Sequence, residues 1–442
     1  MKRIYLLFIL FFTVGCFSMV YTQSLEQYLT AADTSFKKKD YYSALNYYNI
    51  ANEIQEYQDP AIWYKYAEAA RLMQAYTQAD TAYQSVLELS TVQEYPLALY
   101  WLADTKRYLG KYQQAKSIYE RFVTESPLAK GYYLNVAEAA IAQSDWAIQM
   151  TDAPTDSEVE HLSPRINTGY SEFAPIPRGD TLYYSSLSSY DEGDTYNPPR
   201  AFAKMMVAVG DQAAELQADF NAPLQHSAHH AFDESGTTIY YTICAYVTES
   251  VEVRCQLYSR TQTDGQWSQP SPLPTYINQQ GYTHTQPSVG SDRNTGKQYL
   301  YYISDRPDGQ GGLDIWCSEI EEGGRVLEPV NLETINTPQD EMSPFFHNRT
   351  QALYFSSNGH RSLGGYDIFK STHVDENQFD TPQNIGAPIN GSYNDIYFAL
   401  DNAGTMAYFA SNRATGNYLE ADSEICCNDI YRVEMRLVVD ST

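Results

Sequence analysis

The sequence predicts a two-part fold class: an α-solenoid of helical repeats, followed by a five-bladed β-propeller. Two recurrences predict it. Alanines 44, 79 and 115 each head an Ala-x3-Tyr signature, at intervals of 35 and 36 residues. Further on, an apolar-Asn pair appears five times at intervals of 54 to 58 residues. Self-similarity at such periods is the mark of solenoids and propellers. A third observation joins the two parts. Between them the segment at 151–164, TDAPTDSEVEHLSP, is acidic and broken by two prolines, as a linker would be.

The chain begins with Lys2 and Arg3 ahead of an apolar run from Ile4 to Val14. That pattern is a targeting segment, and residues 1–22 are read as an export signal. Two cleavage readings stand open. Val14-Gly15-Cys16 has the ending of a bacterial lipobox, which would place a lipid on Cys16. Ordinary cleavage near Thr22 would instead leave Gln23 or Ser24 first. An exported chain can carry disulfides.

Residues 25–150 have apolar side chains at helical spacings of three and four. The signatures are Ala44-x3-Tyr48-x2-Ala51, Ala79-x3-Tyr83-x2-Val86 and Ala115-x3-Tyr119-x2-Phe122. In each, the small alanine lets two helices approach while the aromatic fills the space one turn later. Trp63, Tyr66, Ala67 and Ala70 fit a preceding helix, Gly110 an intra-repeat turn, and Pro127 a repeat end. The segment resembles the tetratricopeptide family: three repeats, with a fourth repeat or a capping helix at Gly131–Ile148. The resemblance implies a concave face for a peptide or a partner's helix.

From residue 161 to 435 the period changes to two. The apolar-Asn pairs are Ile166-Asn167, Phe220-Asn221, Ile277-Asn278, Ile335-Asn336 and Ile389-Asn390. Each precedes a first strand (Phe173-Ala174-Pro175 through Ile396-Tyr397-Phe398) and then an aromatic strand such as Leu353-Tyr354-Phe355-Ser356, expected to be half-buried. Third strands are clearest at Asp314-Ile315-Trp316, Asp367-Ile368-Phe369 and Asp429-Ile430-Tyr431. Five copies of a four-strand unit make a propeller, with six blades as the alternative count. The last copy ends without a fourth strand near Met435, and an unattached one precedes the first. The segment 161–167 is therefore expected to close the ring and leave no free edge. Residues 436–442 form a tail.

These repeats resemble the WD40-like (PD40) propeller repeats of the TolB type. LYFSSNGHRSLGGYDIFKS and CCNDIYRVE are similar to envelope proteins of the Bacteroidetes, among them the PorE family of type IX secretion components. There a tetratricopeptide array precedes such a propeller, commonly with an OmpA-like peptidoglycan-binding domain after it. The resemblance implies a periplasmic location or one on the periplasmic face of the outer membrane, with envelope proteins as partners of both parts. This sequence stops at Thr442 without an OmpA-like segment, so peptidoglycan binding is not expected.

Composition narrows the function classes. Lys and Arg number 29 against 55 acids, for a formal charge of −26. That field repels nucleic-acid backbones. The 40 tyrosines suit strand and helix packing. No G-x-S-x-G, H-E-x-x-H or phosphate-loop pattern occurs, so no catalytic residue, cofactor or metal site is assigned and no enzyme is expected. The alternative is a glycan-binding module or hydrolase docked through the helical arm.

Four local features carry readings of their own. Cys244 and Cys255 lie as opposed positions of a hairpin would, so a disulfide between them is expected, with free thiols as the other reading. Cys426-Cys427 replaces a Gly-Gly pair and reads as a vicinal disulfide or as separate thiols. His226, His229 and His230 read as packing or surface residues rather than metal ligands. Asp305, Asp308 and Asp314 are acidic enough for calcium but lack the EF-hand order.

Overall fold

The computed structural model describes residues 24–195, 199–217, 219–247, 252–413 and 427–435. Residues 1–22, where an export signal is expected, with Cys16, the tail at 436–442, and Cys426 lie outside the described residues.

Seven helices come first: α1 Leu25–Lys37, α2 Tyr41–Ile54, α3 Pro60–Leu72, α4 Tyr76–Leu89, α5 Ala98–Tyr108, α6 Tyr112–Glu125 and α7 Tyr132–Asp152. Local sequence sets their starts. Ser24 and Gln27 form a capping box on α1, and the Asp59 side chain caps α3, whose first residue is Pro60. Lys39, Gln74 and Gly110 take positive φ in the three equivalent turns, where the chain reverses between paired helices. The signature residues Ala44, Ala79, Ala115, Tyr48, Tyr83 and Tyr119 are all buried.

The five apolar-Asn copies become five antiparallel sheets around one axis, each built on a four-stranded meander; in blades 2 and 4 a further two-residue strand, Gln266–Trp267 or Gln378–Phe379, pairs with the third strand. Blade 1 runs Glu172–Arg178, Thr181–Tyr190, Ala201–Val209 and Gln212–Glu215. Blade 2 runs His226–Phe232, Thr238–Tyr246, Val253–Thr263 and Ser271–Pro272. Blade 3 runs His284–Ser291, Gln298–Ser304, Asp314–Ile320 and Val330–Asn331. Blade 4 runs Glu341–His347, Ala352–Ser357, Asp367–Asp375 and Gln383–Asn384. Blade 5 takes Asp395–Leu400, Met406–Ser411 and Asp429–Glu434 from the end of the chain, and its outer strand, Val159–His161, from the linker. Val159 pairs with Val433 and His161 with Tyr431. The ring is thus shut by an N-terminal strap, with five blades rather than six.

The recurrent asparagine has a physical explanation. In every blade its side-chain amide copies a strand's peptide group. Asn278 Oδ1 accepts from Leu257 N at 2.8 Å while its Nδ2 donates to Leu257 O at 2.8 Å. Asn336 does the same to Ile315, Asn390 to Ile368, Asn221 to Met205, and Asn167 to Ile430 across the closing seam. The third strand's edge is therefore satisfied where the short outer strand has ended.

One expectation changes. Ala352–Ser357 is buried along its whole length, not on alternate faces, because neighbouring blades stack on both sides of it. The Gly-Gly pairs serve the same stacking. A Cβ on Gly311 or Gly364 would overlap the backbone of Pro338 or Ser392, where the next blade's inner strand is entered.

Candidate functional site

The inner strands of all five blades carry a bulge at the same place. The bulged residues Ala174, His229, Gln286, Ser343 and Tyr397 have φ between 49° and 57°. Five non-glycine residues in this left-handed region form a ring about the axis, each bending its strand toward the centre. Their side chains meet there. His229 Nε2 lies 2.9 Å from the Tyr397 hydroxyl and its Nδ1 3.1 Å from Thr285 Oγ1. Gln286 Nε2 donates to the Tyr397 hydroxyl at 3.0 Å, and its Oε1 accepts from Ser343 N at 2.6 Å. The axis is plugged, with a cavity of about 30 Å³ left beside the network.

The plug is uncharged. Burial pushes His229 and His230 down to about 3 and His226 to about 4, so all three are neutral imidazoles at physiological pH. The cluster His226, His229 and His230 faces neighbouring rings: Phe173 and Tyr397 on His229, Tyr183 on His230, Phe202 on His226. Among the described residues no group of three metal-type side chains converges.

At the end of the ring where the inner strands begin, carboxylates cap the loops that enter them. Glu172 accepts from Thr168 N and from the Ser186 hydroxyl; Glu341 accepts from Thr337 N and Ser357. Asp395 accepts from Gly391 N and pairs with Arg413. Burial pushes Glu172 up to about 7 and raises Glu341 as well. In the next layer Asp367 accepts from Leu363 N and from Asn384 Nδ2, and burial pushes it up to about 7.

This same end receives the helical array. Arg107 of α5 donates to Gly364 O at 2.8 Å, and Gln143 of α7 donates to Ser362 O at 2.8 Å. Asn394 Nδ2 reaches Gln74, and Thr155 N donates to Ala387 O. Tyr112, Ala147, Leu363 and Ala387 close an apolar cluster between them, with Trp146 and Met150 packed against it. The loop that ends in Gly364 and Gly365 is thus both a blade contact and a docking platform.

Arg107 belongs to a pattern that repeats through the array. Each signature tyrosine donates its hydroxyl to a carboxylate 15 residues earlier: Tyr48 to Asp33 at 2.5 Å, Tyr83 to Glu68, and Tyr119 to Asp104 at 3.2 Å. Each carboxylate also holds a cation, respectively Lys65, Arg71 and Arg107. The acids are visible in the sequence at constant spacing, but the alanine and aromatic pattern alone did not single them out.

The opposite end of the ring opens into a funnel of about 520 Å³ lined by all five inner strands and the turns after them. Pro177, Pro287, Pro344 and Phe345 form walls; Arg178, Arg293 and Arg349 stand among them. The sequence offered no sign of it, because each arginine comes from a different blade.

The cysteine pairs are placed as follows. Cys244 and Cys255 face each other on adjacent strands and form a disulfide, with Cα atoms 4.0 Å apart. Cys427 is disulfide-bonded as well. Cys317 is a buried thiol that donates to Asn377 Oδ1, and burial raises it. Asp305, Asp308 and Asp314 do not converge on one point: they meet Arg254, Arg306 and Asn331. No helix of the described residues is long and apolar enough to cross a membrane.

Fold and geometry define a helical-repeat array fixed to a five-bladed propeller. A tetratricopeptide-repeat family model matches residues 97–129, which hold α5 and α6. No curated protein matches the chain. Among solved structures, a thermostable family-43 glycoside hydrolase is similar at 14% identity over 61% of this chain and 90% of that one, with a TM-score of 0.38. An α-L-arabinofuranosidase from Lactobacillus brevis is similar at 13% identity over 62% and 92%, with a TM-score of 0.38. The tetratricopeptide domain of Arabidopsis OM64 is similar at 16% over 27% and 93%, with a TM-score of 0.23. At these scores the likenesses carry no argument about activity.

Proposed function

We propose that the protein is a non-catalytic scaffold of the bacterial envelope. It acts in the periplasm or on the periplasmic face of the outer membrane, and bridges protein partners in type IX secretion, gliding or envelope assembly. One observation carries the bridging role. The helical array is bonded to one end of the ring by Arg107, Gln143 and Thr155, and the funnel opens at the other end. Two kinds of surface are therefore held in fixed relation.

The export segment with its two cleavage readings, the disulfide-bonded hairpin, and the similarity of the blade wording to Bacteroidetes envelope proteins support the location. The non-catalytic reading is supported by the carboxylates Glu172, Glu341 and Asp395, all of them occupied in hydrogen bonds that enter the blades. Cross-linking in intact cells followed by purification from envelopes tests the scaffold. Specific recovery of envelope proteins is expected. Recovery of glycan alone, or of no protein, would overturn it. Labelling by radioactive palmitate that is lost in Cys16→Ser decides between an anchored and a free form.

A further inference from the structure

The funnel has three properties that belong together. First, it contains guanidinium groups without carboxylate partners. Arg178, Arg293 and Arg349 are not within ion-pair distance of any described acid, in a chain whose formal charge is −26. Two of them are nevertheless held in place. Arg178 lies over the Phe232 ring at 4.3 Å, against Gly236 of the next blade. Arg293 donates through its Nη2 to Asn348 O and Arg349 O, which ties it to the turn that carries Arg349.

The acids nearby are engaged elsewhere. Asp233 accepts from Thr238 N and the Ser235 hydroxyl of its own turn. Asp292 and Asp401 cap the equivalent turns of blades 3 and 5. Glu234, at the rim, accepts from the Ser291 hydroxyl.

Second, the funnel is blind. Beyond Ile176, Pro287, Pro344 and Phe345, which the funnel shares with the small axial cavity, the His229–Tyr397–Gln286 network fills the axis, so a chain cannot thread through the ring and only an end can enter. Third, apolar patches at Pro177, Pro287, Pro344 and Phe345 stand beside the arginines, and two of the polar lining side chains are engaged in the fold. His347 uses one ring nitrogen on Thr350 and the other on Asp401 O, while Asn348 Oδ1 accepts from Ser291 N.

We propose that the funnel is a receptor for the free C-terminal carboxylate of a partner polypeptide, whose apolar last side chains lie against Pro177, Pro287, Pro344 and Phe345. Guanidinium is the group best matched to a carboxylate, which it binds through two parallel N–H donors. A volume of about 520 Å³ is within the range of specific ligand pockets. This deepens the scaffold reading and rests on it, since it names the chemistry by which the ring end would hold its partner.

The full chain, immobilised, is exposed to an equimolar pool of random hexapeptides with free C-terminal carboxylates and to the same pool as C-terminal amides. Mass spectrometry reads what is retained. Retention of the acid pool at least tenfold above the amide pool is expected, enriched in apolar last residues and falling as salt is raised. Arg349→Gln, at an exposed position, should cut retention about tenfold without moving the unfolding midpoint; Arg178→Gln should do the same. Equal retention of acids and amides, no retention of either, or unchanged retention by both variants would overturn the proposal. So would binding of an acidic oligosaccharide such as oligogalacturonate in place of the peptides. If cross-linking still recovers protein partners when the peptides fail, the funnel assignment falls alone. If neither assay recovers a protein ligand, the scaffold reading falls with it.

Discussion

Replacing Arg107 by methionine tests whether the array and the ring are one mechanical unit. The side chain is nearly buried. It makes one bond to Gly364 O and two to Asp104 Oδ1, at 3.3 and 3.1 Å. Methionine keeps an apolar stem but removes all three bonds and the guanidinium that lies over the Tyr108 ring at 4.2 Å. Gly364 O then loses a donor in a buried interface, at about 1–3 kcal/mol. Asp104 keeps only the Tyr119 hydroxyl, and breaking a buried ion pair on one side costs about 3–5 kcal/mol. Asp104 retains some solvent contact, with 18% of its side chain exposed, which lowers the second figure. A net loss of about 4 kcal/mol is expected.

Urea unfolding of wild type and variant measures that loss. Limited proteolysis in the linker at 153–158 measures release of the array. The expected result is a lower midpoint together with faster linker cleavage. Arg121→Met serves as the control, because its i,i+4 pair with Glu125 is exposed and worth about 0.5 kcal/mol. If Arg107→Met behaves like Arg121→Met in both assays, the docking described here is not what holds the two parts together.

Three further outcomes are expected. Asn278→Ala removes both bonds to the buried Leu257 peptide and should cost about 3 kcal/mol by urea unfolding; a loss under about 1 kcal/mol would show that the amide is dispensable. Asp367 has a folded-state pKa of about 7, above its unfolded value of 3.8. Its contribution to stability is therefore fully present below about pH 4 and is lost as pH rises through about 7. Asp367→Asn should gain on wild type as pH is raised from 4 to 8, and a constant gap between the two unfolding curves would contradict the raised pKa. Reducing the Cys244–Cys255 bridge, which closes a loop with a sequence separation of 11, should lower stability by about 3 kcal/mol relative to an untreated sample. Cys244→Ala/Cys255→Ala should then show no response to reductant through this hairpin.

Much of the fold is legible because its elements repeat. Alanine at 44, 79 and 115 and asparagine at 167, 221, 278, 336 and 390 each solve a local problem, helix approach or strand-edge pairing, and local problems recur at fixed intervals. The strap was legible for a related reason: one surplus outer strand ahead of blade 1 matched one missing after residue 434, although the pairing strand is Val159–His161 and meets the expected segment 161–167 only at His161. The site was harder to read. Arg107 and Gly364 are 257 positions apart and in different kinds of repeat, so no periodicity relates them. The funnel arginines 178, 293 and 349 occupy non-equivalent slots, and only closure of the ring brings them together. The complete burial of Tyr354 and Phe355 depends on blades 3 and 5 on either side, since a strand in an isolated meander would keep one face wet.

The strap sets an order of events during synthesis. His161 emerges early, yet its partner Asp429 follows 268 positions later. Throughout that interval Leu162 and Ile166 have only blade 1 to pack on, through Leu182, Tyr184 and Ala208, because Tyr408 and Ile430 of blade 5 do not yet exist. Contacts of such separation are slow to form. The nascent chain is a spiral of finished blades with one open, strand-hungry end, and that end is where a translocating chain would most need a chaperone.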